Sequence, residues 1–225
     1  MTNRIKLAIF DLDGTLVNSV YDLADATNRA LADLGLPTFE TERYYHFVGN
    51  GTRKLCERVL PEELRTDENI DHLHAMFAEN YERCCFDKTE PYGGISKLLF
   101  ELRGRGVKCA VASNKPDGFS CRIVEHYFGD TFDFVVGKRE GTPTKPDPAI
   151  INYIMTALDA SPEETVIIGD SDVDIITARN SGTASIGCVW GFRGEEELTA
   201  AGCTHLAREP LDILAFIDEM NRTEN

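Results

Sequence analysis

Apolar residues in this chain gather in short runs that have no polar face. The first is IKLAIF, Ile5 to Phe10. Four more share its character: VKCAVAS (Val107 to Ser113), FDFVVG (Phe132 to Gly137), TVIIGD (Thr165 to Asp170) and TASIGCVW (Thr183 to Trp190). A strand covered by helices on both sides is apolar throughout, so short β-branched runs of this kind predict a buried parallel sheet. Between the runs the period changes. ISKLLFELRGRG carries apolar residues at i, i+3 and i+4, which predicts a helix stopped by Gly104 and Gly106. The alternation predicts an α/β fold, a doubly wound, Rossmann-like parallel sheet. Near the C-terminus, THLA and then PLDILAFIDEM predict a last strand and helix with a structural role.

One interval breaks the alternation. From Leu16 to about Pro91 the pattern holds no strand. Ser19 with Asp22 resembles a capping box, Gly35 with Pro37 a stop, and NGTRKLCERVL and ENIDHLHAMFAENYERC are further helical stretches. About 70 residues of helix are too many for one βα crossover. The expectation is a core of residues 1–16 and 91–225, with a helical cap domain, residues 17–90, inserted over the end of the first strand.

Composition narrows the function. The 225 residues, 42% hydrophobic and 27% charged, suit a globular protein with a sizeable core. A net charge of −15 argues against nucleic acid or an anionic membrane as partner. An anionic substrate would then need a locally positive site. The seven cysteines are scattered, with neither zinc spacing nor a disulfide framework, and are expected as inert core residues in a reducing compartment. With no signal-like or membrane-spanning run, the expectation is a cytoplasmic protein; oligomeric state is not legible.

Ligand sites of open α/β sheets lie at the carboxyl ends of strands. The first predicted strand ends in Asp11 and Asp13, and the second in Ser113, Asn114 and Lys115. Lys145 follows the third, in TKPDP, and the fourth ends in GDSDVD with Asp170, Asp172 and Asp174. Singly, each has an ordinary reading as a cap, turn or solvated residue. Asp147 is read as capping the helix that starts near Pro148, and Asp172 as facing solvent. Together, the carboxylates repel one another unless a cation binds them, and Mg²⁺ with a substrate phosphate meets that need. Asp11 could then attack phosphorus, and Asp13 could protonate the leaving alkoxide and activate water. Lys145 and the amides of the Asp11–Thr15 turn would cradle the phosphoryl oxygens, with Gly14 allowing the tight turn.

In order and spacing, DLDGTL, the Ser113 of ASNK, the Lys145 of TKPDP and IGDSDVD resemble the four motifs of the haloacid dehalogenase-like hydrolase superfamily. The resemblance implies Asp11 as nucleophile and metal ligand, and Asp13 as acid/base with its carbonyl on Mg²⁺. It also implies Ser113 and Lys145 as phosphoryl holders, Asp170 as direct metal ligand and Asp174 behind it. Asn114, Gly14 and Thr15 complete the expected phosphate site. Asp13 argues against halide chemistry, and Gly169-Asp170 differs from the Glu-Asp usual in the β-phosphoglucomutase branch.

VGNGTRKL and the late WGFRGEEELTAAG look like the phosphoglycolate phosphatase group; PYGGI departs from it at Gly93, where relatives usually have proline. Gly49, Asn50 and Gly51 would form a cap loop, and Arg53 would meet the substrate's anionic end. The implied reaction is Mg²⁺-dependent hydrolysis of a small anionic phosphate ester, with 2-phosphoglycolate favoured. A pyrophosphatase, a sugar-phosphate phosphatase and a phosphomutase stay open on the same fold. A receiver-like signalling protein and a non-catalytic phosphate-binding protein stay open outside it.

Overall fold

The computed structural model describes residues 5–222. The chain runs β1 (Leu7–Phe10), β2 (Val17–Asn18), α1 (Val20–Asp33), α2 (Thr41–Phe47), α3 (Thr52–Val59), α4 (Asp67–Cys84), β3 (Glu90–Pro91), α5 (Ile95–Gly104), β4 (Lys108–Pro116) and α6 (Asp117–Phe128). It continues through β5 (Phe134–Lys138), α7 (Ala149–Leu158), β6 (Thr165–Gly169), α8 (Asp172–Ser181), β7 (Ala184–Cys188), α9 (Gly194–Ala200), β8 (Leu206–Ala207) and α10 (Asp212–Met220).

Six strands form a parallel sheet in the order β5-β4-β1-β6-β7-β8. Phe10 at the end of β1 sits opposite Val111 of β4 and Ile168 of β6. The chain builds outward from β1 through β4 and β5, then returns to β6 on the other flank. The order therefore reverses at β1, and the ends of β1, β4 and β6 border the crevice where such sheets bind ligands.

Alternation along β1 sends Ala8 and Phe10 to one layer and Leu7 and Ile9 to the other. The first layer contains Leu98 and Leu102 of α5 and Ile213 and Ile217 of α10. The second contains Ile151 and Ile154 of α7 and Ala178 of α8. With both faces covered, the strands carry no polar alternation, as the runs predicted. A separate apolar cluster joins the helices between β1 and β3: Leu23 and Leu31 of α1, Leu55 of α3, and Leu73 and Phe77 of α4 among them.

Several local expectations change. The interval read as strandless holds β2 and β3, which pair antiparallel with Val17 opposite Pro91 and Asn18 opposite Glu90. This ladder puts the entry and exit of the helical segment side by side; two residues are too few to leave a periodic signature. Ser19 does not cap α1. Its hydroxyl donates to Asp13 Oδ1 at 2.5 Å. Asp22 is fully buried and accepts from Lys88 N, Thr89 N and Thr89 Oγ1.

Gly104 stays helical as the last residue of α5, and Gly106, at φ +74°, makes the stop. The third run begins pairing two residues late. Asp133 exchanges bonds with Cys109 through its amide and its carboxylate, so its side chain occupies a ladder position. As expected, Asp147 accepts from Ala149 N at the start of α7, and Asp172 is partly exposed. Among the described residues, no helix is long and apolar enough to cross a membrane.

Candidate active site

Asp11 directly follows β1, where its amide donates to Ile168 O of β6 at 2.9 Å. That bond ties the nucleophile candidate to the neighbouring strand, whose own end carries Asp170. One carboxylate oxygen from each of Asp11, Asp170 and Asp174 lies within 4.8 Å of the others. Asp170 Oδ1 accepts from Thr15 Oγ1 at 3.1 Å, and Oδ2 from Phe192 N at 2.7 Å. Asp174 closes the capping box of α8, accepting from the amide and hydroxyl of Ser171 through Oδ2. Its Oδ1 takes the Lys145 ammonium at 2.7 Å.

Lys145 thus sits between two carboxylates. Its Nζ is also 2.9 Å from Asp11 Oδ1, though among the described residues that oxygen has no aligned hydrogen-bond donor. One ammonium serves three buried acids, so the cluster is short of positive charge. Burial pushes the Asp11 carboxyl up to about 6. Lys145 opposes the rise, and Asp174 and Asp13 add to it. Asp170 is raised well above the usual range, by burial and then by Asp174 and Asp11. Burial works against the charge of Lys145, yet Asp11 and Asp174 hold it above the ordinary lysine value.

The glycines here are steric necessities. Gly14 lies at φ +89°, and a Cβ on it would stand 2.3 Å from Asp170 Oδ2. A Cβ on Gly191 would stand 2.2 Å from Asp170 Cβ and 2.6 Å from Gly14 O. The loop after β7 therefore lies against the first turn, and Trp190 Nε1 donates to Thr15 O.

Asp13 sits beside the acid cluster. Lys115 Nζ lies 3.0 Å from each of its carboxylate oxygens, and both side chains are buried or nearly so, 1% and 12% exposed. Asp11, Asp13, Ser113 and Lys115 line a narrow cavity of about 20 Å³ that Val48, Gly49, Gly51, Thr52 and Leu55 close from the helical side.

Several sequence-predicted residues have other work. Thr15 does not face the cavity; its hydroxyl orients Asp170. Asn114 lines the cavity, but its carboxamide clamps the Lys145 backbone, accepting from N and donating to O, and donates to Gly49 O. Within the turn expected to cradle phosphate, the amides of Asp11, Gly14 and Thr15 bond inside the protein. Asn50 accepts from Arg58 and is not part of the cavity wall. Arg53 points to solvent and pairs with Asp67 and Asp71, 2.7 and 2.8 Å away, so it does not reach the cavity. Gly49 and Gly51 do face it.

The sequence places Lys115 at the end of the second predicted strand, beside Ser113 and Asn114, but assigns it no role. Ser19, read as a helix cap, serves Asp13 instead, and the pattern gives no sign of Phe192 N or of Arg193, which donates to Val48 O of the cap loop at 2.8 Å. Adjacency flagged Lys115; no local signal marks the others.

A family model described as haloacid dehalogenase-like hydrolase matches residues 8–188. The chain is 35% identical over 201 residues to a phosphoglycolate phosphatase of Psychrobacter arcticus, covering 86% of this chain and 87% of that one. It is 32% identical over 219 residues to a phosphoglycolate phosphatase of Vibrio parahaemolyticus, covering 95% and 96%. A solved structure from Lactobacillus delbrueckii subsp. bulgaricus superposes with a TM-score of 0.90 at 32% identity, covering 95% of this chain and 98% of that one. The chain belongs to the haloacid dehalogenase-like hydrolase family, and within it to the group of phosphoric monoester hydrolases that these phosphoglycolate phosphatases represent.

Proposed function

We propose that this chain is a Mg²⁺-dependent phosphatase that hydrolyses a small phosphate monoester through an aspartyl-phosphate at Asp11, and that 2-phosphoglycolate is its substrate. The observation that carries the reading is the charge-deficient cluster of Asp11, Asp170 and Asp174, with the unaligned Asp11 Oδ1 at its edge. All-oxygen, all-acidic donors fit a hard divalent cation. Asp11, Asp170 and the Asp13 carbonyl would hold the ion, with Asp174 behind them. When bound, the ion keeps the carboxylates ionised and neutralises phosphoryl oxygens.

The protein's own groups do the rest. Ser113 Oγ and Lys145 Nζ hold the phosphoryl group while an Asp11 oxygen attacks phosphorus in line with the ester oxygen. The P–O ester bond breaks as Asp13 gives its proton to the departing alkoxide. Asp13 then takes a proton from water, the water oxygen attacks the aspartyl-phosphate, and phosphate leaves with Asp11 regenerated. Lys115 and Ser19 fix the Asp13 carboxyl between these two tasks.

Residues 17–90 act as a cap domain on a core of residues 1–16 and 91–225. The cavity beneath the cap loop holds no more than about one water. We infer that the cap opens to admit substrate. The names of the relatives support phosphoglycolate over larger sugar phosphates. We place the protein in the cytoplasm, where its seven free cysteines stay reduced.

Phosphate release from a panel of esters, including phosphoglycolate, pyrophosphate and sugar phosphates, tests the reading. Turnover is expected with Mg²⁺, lost in EDTA and restored by excess Mg²⁺. Asp11→Asn is expected to lose about 10⁴-fold or more in kcat. Full activity in EDTA, or an Asp11→Asn variant near wild type, would refute the mechanism; a panel led by another ester would refute the substrate.

A further inference from the structure

The cavity beside Asp11 is lined by two carboxylates, yet one cationic side chain faces it. Among the described lining residues that cation is Lys115. Other basic side chains near the cap loop are turned away. Arg53 pairs with Asp67 and Asp71, and Arg58 donates to Phe47 O and Asn50 Oδ1. Arg193 donates to Val48 O, and Lys145 is held between Asp11 and Asp174.

An ammonium has three N–H donors. On Lys115 two point to the Asp13 oxygens, each at 3.0 Å, and the Nζ stands 4.6 Å over the centre of the Tyr81 ring. Among the described residues no third acceptor oxygen reaches this ammonium, whose side chain is 1% exposed; its remaining partner is the face of the Tyr81 ring. Opposite, the first turn of α3 begins at Gly51, whose lack of a side chain leaves it without a cap bond; Gly51 and Thr52 face the same cavity. The N-terminal end of a helix adds to the positive potential there.

We propose that Lys115 is the specificity-determining residue of this enzyme: it bridges Asp13 and a carboxylate on the leaving group of the substrate. The proposal rests on the phosphatase reading above and gives that site its substrate class, small phosphate esters bearing a second anionic group. A neutral leaving group would forgo the charge-assisted bond that a carboxylate makes with this ammonium, which is how sites built around a polar contact discriminate against analogues that lack it. The same ammonium fixes the position of the Asp13 carboxyl, so recognition and the placing of the acid/base group share one side chain.

The test compares phosphoglycolate with its neutral amide as substrates, using wild type, Lys115→Met and Lys115→Arg with Mg²⁺. Calorimetry compares binding of the inert analogues phosphonoacetate and carbamoylmethylphosphonate to the same proteins. Wild type is expected to prefer the carboxylate in both readouts, and Lys115→Met to lose about a hundredfold of that preference. Lys115→Arg, which keeps the charge, should retain most of it. The ratio between the two ligands cancels any general loss from misfolding or from a displaced Asp13. An unchanged ratio in Lys115→Met, even with both activities reduced, would overturn the assignment. Should wild type hydrolyse neither ester, the phosphatase reading fails, and the phosphonate ratio still decides whether Lys115 reads the carboxylate.

Discussion

Asp22 is where the helical segment is bolted to its own return, and its loss should be costly. The carboxylate is fully buried in the first turn of α1. Its Oδ2 accepts from Thr89 N at 2.8 Å and Thr89 Oγ1 at 2.7 Å, and Lys88 N approaches both oxygens at 3.0 and 3.1 Å. Asp22→Ala strands these donors. Water can reach Lys88 N, which is part-buried; it cannot reach the Thr89 pair. A buried donor without a partner costs about 1–3 kcal/mol. Two of them, with the Thr89 hydroxyl free to rotate, give a loss of about 2–4 kcal/mol. For a domain of this size each kcal/mol shifts Tm by about 2–4 °C, so Tm should fall by roughly 10 °C. Asp22→Asn keeps the shape and one acceptor but sets an amide N–H₂ against a donor, for a loss of about 1–2 kcal/mol. Urea unfolding followed by circular dichroism and by the fluorescence of Trp190, the single tryptophan, reads both variants. An Asp22→Ala protein within about 0.5 kcal/mol of wild type would refute the reasoning, because that is the range of an ordinary surface substitution.

Two further outcomes follow from side chains whose places differ from their apparent promise. Arg53→Ala should leave KM for phosphoglycolate unchanged and cost less than about 1 kcal/mol, since it removes only exposed ion pairs; a several-fold rise in KM would return Arg53 to the substrate. Burial pushes the thiols of Cys56 and Cys109 up to about 12 and Cys84 up to about 11. Iodoacetamide at pH 8 should therefore modify the folded protein first at Cys121, the one cysteine that is not buried; peptide mapping that finds Cys56 or Cys84 labelled as early would contradict this.

The parallel sheet was legible because burial on both faces removes polar alternation from the strands, which leaves runs such as TVIIGD unmistakable. The acid cluster was legible for a related reason. Asp11, Asp170 and Asp174 stand at strand ends or just beyond, where topology alone brings them together at the switch point. Local chemistry misled where a residue had both a near and a far partner. Ser19 and Asp22 have capping-box character three residues apart, yet Ser19 bonds Asp13, and Asp22 bonds Lys88 and Thr89, 66 and 67 positions away. Thr15, taken for a phosphate ligand, orients Asp170 across 155 positions.

The same distinction separates Arg53 from Lys115. Both follow a polar stretch, GNGT in one case and SN in the other, and both carry the charge an anionic substrate needs. Arg53 lies in the first turn of α3, facing α4, whose N-terminal Asp67 and Asp71 attract it outward. Lys115 lies within β4, whose neighbour β1 ends in the loop carrying Asp13, so the sheet draws its ammonium inward. The outcome is set by which element each residue pairs with in space. A buried ammonium bonded to a carboxylate is held by an interaction that costs several kcal/mol to break on one side, whereas the exposed pairs of Arg53 are worth about 1 kcal/mol or less. An anion entering the cavity therefore meets a fixed charge at Lys115, while Arg53 would have to leave two acids and turn around its helix to contribute.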